Sequence, residues 1–208
     1  MIRVLIAGEG ANEIGHWARH APDEERTTGV GVIEALLTKV RSGGWEVRAA
    51  LQWKDIHKLR PSAAGDREER AVHILVMRAR ELGCNALIFL RDRDGPRNLS
   101  RERAIQRAVR EAEKRPELAI ASGVPVEMLE SWLLALRGDP KSEDEQDPVL
   151  ELHRRHKVAP KRTTAMIELV RHSRLLDAPD DAASFWRWIR RAATALNVSP
   201  IPKQWPRP

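Results

Sequence analysis

The chain lacks several residues and motifs that particular mechanisms require. None of its 208 residues is tyrosine, which excludes every mechanism that depends on a tyrosine nucleophile. Cys84 is the single cysteine, so the chain cannot form an internal disulfide or a cysteine-rich zinc site. The sequence also contains no GxxxxGK[ST] loop, and we therefore do not expect ATP hydrolysis by the P-loop route.

Long apolar runs are also missing. No stretch approaches the roughly 20 apolar residues that a membrane-spanning helix needs. Near the N-terminus, Glu9, Glu13 and His16 interrupt the apolar run that a signal peptide requires. The apolar fraction is 42% and the charged fraction is 32%, values typical of a folded domain with a polar surface. We therefore expect a globular, cytoplasmic protein.

Positive charge is concentrated in the last part of the chain. Residues 149–208 carry 12 Lys and Arg residues against 5 Asp and Glu residues, whereas the whole chain has a net charge of +6. The first 148 residues are therefore close to neutral. A basic segment behind a neutral one fits an anionic partner, of which nucleic acid is the simplest, but an ordinary solvated surface gives the same pattern.

Short apolar runs alternate with segments of helical periodicity in the first part of the chain. The predicted strands cover residues 2–7, 46–52 and 85–90, with a weaker candidate at 118–121. The predicted helices cover residues 30–41, 67–82, 100–114, with Ser100 as N-cap, and 126–137. Strands that alternate with helices pair in parallel through right-handed crossovers. The sequence therefore predicts an α/β fold with a mostly parallel sheet flanked by helices.

An acidic segment interrupts this pattern. Residues 138–148 contain two prolines and no apolar residue, which indicates a linker or an exposed loop. Beyond it the pattern is helical, at 148–155, 161–175 and 181–196, and the chain ends in a proline-rich tail. We therefore predict an α/β domain over residues 1–137, a linker over 138–148 and a basic helical extension over 149–208.

Carboxylates follow two of the predicted strands directly. Glu9 comes after the first strand, and Asp92 and Asp94 come after the strand at 85–90. Ligands bind beyond the carboxyl ends of parallel strands, and neighbouring strands lie about 4.8 Å apart. We therefore expect these three carboxylates to share a hard divalent cation, with both aspartates on the same side of an extended backbone. Ordinary turn chemistry would account for either motif taken alone.

Three more glutamates are candidate ligands. Glu13 could add a carboxylate at the start of the next helix, where the helix dipole favours it. Glu130 lies on an otherwise apolar face of the predicted helix 126–137, and Glu127 lies one turn before it. A metal ion or an arginine would relieve the cost of this arrangement. The alternative is an amphipathic helix with two surface glutamates.

Several arginines are candidates for phosphate binding. Those around the two aspartates could pair with them or hold phosphate groups, and they are Arg91, Arg93 and Arg97. The helix predicted at 181–196 mixes aromatic residues with arginines, as nucleic-acid surfaces do, but its apolar residues also form a core stripe. The two interpretations are compatible, because the outer face of the helix would carry Arg187, Arg190 and Arg191.

Three blocks of the sequence resemble the Toprim superfamily of metal-binding domains. They are EGANE at 9–13, RDRDG at 91–95 and VPVEMLESWLLA at 124–135. They are similar to blocks of small prokaryotic Toprim-like proteins related to the overcoming-lysogenisation-defect nucleases. The resemblance spans residues 1–137, and its third block is the longest and most specific.

The resemblance implies a nuclease that depends on Mg²⁺ or Mn²⁺ and acts on DNA or RNA. Its catalytic residues would be Glu9, Asp92 and Asp94, which would hold metal together with Glu13, Glu127 and Glu130. Lys157 and Lys161 would neutralise the scissile phosphate. The resemblance further implies a separate ATPase partner and a role in defence against phage, and a homodimer is compatible with it.

Two other functions also fit the sequence. One is a nucleic-acid-binding accessory protein whose carboxylates bind metal without turnover. The other is an α/β enzyme that acts on a small phosphorylated substrate. The salt dependence of ligand binding separates the accessory protein from the small-substrate enzyme. Binding of nucleic acid should weaken steeply with salt, because only a polyanion releases many counterions when it binds.

Overall fold

The computed structural model of the chain describes residues 1–17, 26–28, 30–59, 66–95, 98–115, 117–159, 162–199 and 205. The strands are β1 (Ile2–Gly8), β2 (His16–Trp17), β3 (Arg26–Thr28), β4 (Trp45–Gln52), β5 (Ala86–Leu90) and β6 (Ala119–Gly123). The α-helices are α1 (Ala11–Ile14), α2 (Val32–Val40), α3 (Trp53–Leu59), α4 (Arg67–Glu81), α5 (Leu99–Glu113), α6 (Leu129–Leu136), α7 (Pro148–His156), α8 (Thr163–His172) and α9 (Ala183–Ala195).

A parallel sheet with the strand order β4-β1-β5-β6 forms the centre of the fold, and β2 and β3 form a separate antiparallel pair. Every pairing in the larger sheet is parallel. β5 has the sequence ALIFL and is buried along its whole length, as expected of a strand covered on both faces. The predicted α/β fold with a parallel sheet flanked by helices is therefore confirmed.

Helices cover both faces of this sheet. Val4 and Ile6 of β1 point to one face, where they join a core that includes α2, α6, α8 and α9. Leu5 and Ala7 point to the opposite face and join a core formed with α3, α4 and α5. The alternation follows from the two-residue period of a strand, and it also decides the side on which each residue beyond a strand end emerges.

The C-terminal helices share the core of the sheet. α9 packs against β6, and its Trp186 and Trp188 are fully buried with Trp132 of α6. The rings of Trp132 and Trp188 lie 5.4 Å apart, and the Trp132 indole N–H donates to Ser184 Oγ at 2.7 Å. The C-terminal helices are thus packed onto the preceding part of the chain, while the predicted boundaries between the segments stay a prediction.

The predicted linker also makes ordered contacts. It contains a short 3₁₀-helix, Ser142–Asp144, and the Glu143 carboxylate accepts the backbone N–H groups of Ser184 and Phe185 at 3.0 and 3.1 Å. Glu143 therefore satisfies the free donors at the start of α9. Most of the predicted proline-rich tail, residues 200–204 and 206–208, lies outside the described residues.

Two helix starts differ from the prediction. Asn98 rather than Ser100 occupies the N-cap position of α5, and the Ser100 hydroxyl donates to Asn98 Oδ1 at 3.1 Å from inside the first turn. The helix predicted from residue 126 begins at Leu129. The residues before α6 run beside the segment that follows β5, because the N–H groups of Arg93 and Gly95 donate to the carbonyl groups of Pro125 and Val126.

No α-helix within the described ranges is both long enough and apolar enough to cross a membrane.

Candidate carboxylate site

The ends of two strands bring Glu9 and Asp92 to one edge of the sheet. Glu9 follows β1, and Asp92 comes two residues after the end of β5. β1 and β5 are parallel neighbours, so residues that follow them emerge at the same edge. Burial raises the pKa of Asp92, and the negative charge of Glu9 raises it further. The structure therefore brings these two predicted residues together.

The short helix α1 turns Glu13 back over the end of β1. A methyl group at Gly8 would lie 2.6 Å from Cβ of Glu13, so glycine is needed for this close approach. The Glu13 carboxylate accepts a hydrogen bond from the backbone N–H of Gly10. Glu13 thus belongs to the same group of carboxylates, as the sequence predicts.

Glu130 reaches this group from the first turn of α6, but Glu127 does not. Glu130 is close enough to Glu13 and Asp92 for its charge to raise the pKa of both, in addition to the larger effect of burial. Glu127 precedes α6, and its carboxylate lies beside Gly95 instead. The expectation of two glutamates one turn apart on a helix is therefore wrong, because the helix starts too late to include Glu127.

We call Glu9, Glu13, Asp92 and Glu130 the carboxylate site. All four side chains are half-buried. Burial is the main cause of a raised pKa at three of these residues. It raises the pKa of Asp92 well above its usual value and the pKa of Glu13 to about 7, and it also raises the pKa of Glu130. The ionised forms of these carboxylates are therefore poorly solvated at the site.

Asp94 lies at the margin of this group, and its charge adds to the effects that raise the pKa of Asp92. Its backbone is left-handed, with φ of 55°, and Gly95 follows with φ of 111°. This turn ends the extended backbone from which the sequence predicts that both aspartates share one side, and that placement stays a prediction. The Asp94 side chain is 59% exposed and pairs with Arg101.

Arg91 connects the carboxylate site to a buried network. It pairs with Glu9 through Nη1 and with Glu68 through Nε and Nη2. Burial alone would lower the pKa of Arg91, but its bonds to Glu68 and Glu9 outweigh that effect and raise it. Arg91 is therefore committed to carboxylates, one of the two roles that the sequence leaves open.

The other described residues of the predicted phosphate-binding set also make intramolecular bonds. Arg93 and Arg187 pair with Glu102 at 3.1 and 3.5 Å. Arg190 donates to the carbonyl of Trp205, Arg191 to Ser122 Oγ, and Lys157 Nζ to the carbonyl of Arg154 at 3.1 Å. Arg97 and Lys161 lie outside the described residues. None of these bonds among described residues joins a basic side chain to the carboxylate site.

An acidic groove of about 1040 Å³ begins at Asp94 and Glu127 and runs along the 3₁₀-helix Ser142–Asp144. Among the described residues, five carboxylate and two cationic side chains line it. A polyanion would be repelled by these walls. A nucleic-acid strand would therefore have to approach the carboxylate site from another direction.

The chemistry of the site fits a hard divalent cation, although its side chains do not form a ready ligand set. In the part of the chain that the structure describes, no three His, Cys, Asp or Glu side chains are arranged to hold one ion. Glu9 and Asp94 are instead turned toward arginines. Carboxylate oxygens are the ligands that Mg²⁺ and Mn²⁺ prefer, and a cation would relieve the repulsion among them. Side-chain rotation would have to bring the carboxylates onto the ion.

Sequence reasoning missed two residues beside this site: Glu68, which pairs with Arg91 and Arg101, and Arg101, which donates to the backbone carbonyl of Asp92. From the sequence, Glu68 would be expected to be an ordinary acidic residue in the first turn of α4, and Arg101 an exposed residue of α5. Neither stands in a motif, and their partners are distant in sequence. A carboxylate three residues from the following Ala71-Val72 apolar pair was the available hint that Glu68 could face inward.

Raising the pH should destabilise the metal-free protein through Glu13. Because its pKa is about 7 in the folded protein and 4.5 ordinarily, its contribution to stability is full below pH 4.5 and is lost as the pH rises through 7. The shift corresponds to about 3 kcal/mol. Urea unfolding at pH 5 and pH 8, in chelator, should therefore show a larger fall in stability for the native chain than for Glu13→Gln. Equal falls would contradict the assignment.

Comparison with models of protein families, with curated proteins and with solved structures finds no match to this chain. The resemblance to the Toprim superfamily therefore stays a prediction.

Proposed function

We propose that the chain is a nuclease, or the nuclease subunit of a larger assembly, that depends on Mg²⁺ or Mn²⁺. The observation that supports this is the convergence of four carboxylates beyond neighbouring parallel strands, at the edge where α/β proteins bind ligands. Their oxygen-only chemistry suits a hard cation that acts on phosphate esters. The DNA or RNA substrate, an ATPase partner and a role in phage defence belong to this same proposal.

The residues of the carboxylate site would have two roles, metal binding and proton transfer. Asp92 and Glu130 would hold the cation, with Glu9 as a further ligand, and the cation would polarise the phosphate and activate a water molecule. Glu13 has a pKa of about 7, so it can accept or release a proton near neutral pH. A buried glutamate tuned in this way is suited to act as a general base.

The acidic groove has room for the substrate of a second candidate, an enzyme that acts on a small phosphorylated molecule. Its volume of about 1040 Å³ would hold such a compound, and its walls carry mostly negative charge. A substrate with one phosphate group is repelled less by these walls than a polyanion is. The same carboxylates would hold the metal in either case.

Cleavage and binding assays separate the two candidates. A nuclease should nick plasmid DNA or cut single-stranded oligonucleotides when Mg²⁺ or Mn²⁺ is added, and should stop when the metal is chelated. Its binding to oligonucleotides should weaken with salt, by about 0.7–0.9 log units per log unit of salt for each phosphate neutralised. Hydrolysis of small phosphate esters with little salt dependence would favour the second candidate.

A chain that binds metal but does not cleave nucleic acid would be interpreted as a subunit that needs a partner. Isothermal titration with Mn²⁺ would then distinguish a nuclease subunit that needs its partner from a chain without a metal site. Binding without cleavage supports the subunit form of the proposal. If the chain neither binds metal nor cleaves nucleic acid, both forms of the proposal are contradicted.

A further inference from the structure

Glu68 is an unusually buried carboxylate that lies outside the carboxylate site. It lies in the first turn of α4 and is only 8% exposed. Acidic residues are almost never buried to this extent unless they are paired. Among the described residues, the Glu68 carboxylate is bonded to or paired with Trp53, Arg91 and Arg101. Two of these partners are guanidinium groups that reach the carboxylate site.

Glu68 holds Arg91 with the planar geometry that a carboxylate and a guanidinium share. Arg91 Nη2 donates to Glu68 Oε1 at 3.0 Å, and Arg91 Nε donates to Oε2 at 3.2 Å. The Arg91 guanidinium also lies 5.4 Å from the centre of the Trp53 ring, whose indole N–H donates to Glu68 at 2.9 Å. Two sides of Arg91 are thus fixed, and its remaining Nη1 group is aimed at Glu9.

Arg101 is held by the same carboxylate. Its Nε lies 3.3 Å from Glu68 Oε1, while its Nη1 donates to the backbone carbonyl of Asp92 at 2.7 Å and to the Asp94 carboxylate. One guanidinium therefore fixes the backbone of the loop that carries both aspartates. Its position depends on Glu68, which is the buried charge behind it.

We propose that Glu68 is a positioning residue of the carboxylate site, which acts by holding Arg91 and Arg101 and thereby sets the positions of Glu9 and Asp94. One carboxylate between two guanidiniums leaves a net positive charge next to the four carboxylates, and that charge offsets part of their repulsion. Without Glu68, the two arginines would repel each other and would be free to pair elsewhere in the site.

This arrangement has a consequence for metal binding, and this step rests on the proposed function. A cation that draws Glu9 and Asp94 onto itself removes one partner from each arginine. Both arginines keep Glu68, so they stay at the site with N–H donors released. Those donors are suited to the oxygens of a phosphate group, which guanidinium groups bind through paired hydrogen bonds.

The test compares Glu68→Gln with Glu69→Gln. Glu69 is adjacent on the same helix but pairs with Arg107, which is exposed, so its loss should leave the site unchanged. Titration with Mn²⁺ should show an affinity about 10–100-fold weaker in Glu68→Gln, as for other residues that orient metal ligands, and unchanged in Glu69→Gln. Glu68→Asp keeps the charge and should restore part of the affinity, and it also covers the case in which Glu68→Gln folds poorly.

A second measurement reports on the arginines whether or not metal binds. In nitrogen-15 spectra, the Nε–H signals of Arg91 and Arg101 should be dispersed and slow to exchange in the native chain, and should lose both properties in Glu68→Gln. Arg91→Lys and Arg101→Lys assign these signals. Unchanged signals, or an unchanged Mn²⁺ affinity in a folded Glu68→Gln, would overturn the inference. A native chain that binds no Mn²⁺ would contradict the proposed function, and the arginine signals would still decide the role of Glu68.

Discussion

Asp92→Asn should lower metal-dependent cleavage by about 10³-fold and should also make the metal-free protein more stable. The cation contributes several kcal/mol to stabilisation of the transition state, and about 4 kcal/mol corresponds to this factor. Stability should rise because asparagine removes a charge that burial and the neighbouring glutamates disfavour. A gain of about 1 kcal/mol at pH 8 would raise Tm by roughly 2–4 °C.

The two effects are measured separately, as turnover of an oligonucleotide with Mg²⁺ and as calorimetric unfolding in chelator. Glu46→Gln is the matched control, because Glu46 is an exposed carboxylate near the opposite end of β4 and should affect neither quantity. Asp94→Asn should lose less activity than Asp92→Asn, since Asp94 is turned toward Arg101. Full activity in a folded Asp92→Asn would remove Asp92 from the site.

Gly31→Ala should destabilise the protein by about 3 kcal/mol and lower Tm by roughly 6–12 °C. Gly31 precedes α2 with φ of −92°, a conformation that alanine adopts without strain. The added methyl group would overlap backbone atoms of Glu13, Ile14 and Gly15, which cannot move aside as a flexible side chain would. Since α1 carries Glu13, displacement of this helix should also weaken Mn²⁺ binding.

Gly43→Ala makes the same chemical change where there is room for it. Within the described part of the chain, and apart from its two chain neighbours, no residue has an atom within 4 Å of the position that its methyl group would take, and Gly43 is exposed. Its stability should stay within about 0.5 kcal/mol of the native chain. Similar losses in both variants would indicate a general cost of alanine rather than the close packing of α1 against Gly31.

The sheet could be predicted from the sequence because its strands are short apolar runs between helices of clear periodicity. The predicted strand at 85–90 and the observed β5, Ala86–Leu90, differ by one residue. Parallel pairing then placed Glu9 and Asp92 at the same edge without further information. The short elements α1, α3 and the β2–β3 pair were beyond such reasoning, because a few residues show no period.

The finer geometry of the site depends on backbone turns and contacts that cannot be predicted from local sequence patterns. The backbone turns left-handed at Asp94, and turn residues such as Asp and Gly fit several backbone conformations. The late start of α6 follows from bonds between its leading segment and residues 93–95. The pairing of Glu68 with Arg91 joins residues 23 positions apart, and only the packing of α4 against the sheet brings them together.

The position of α9 against β6 affects the order in which the protein can fold during synthesis. Trp132 and the inner face of β6 have been made by residue 132, yet Trp186 and Trp188, which cover them, are made more than fifty residues later. A nascent chain therefore exposes a large apolar surface until α9 leaves the ribosome. Apolar surface exposed during that interval favours aggregation of the nascent chain.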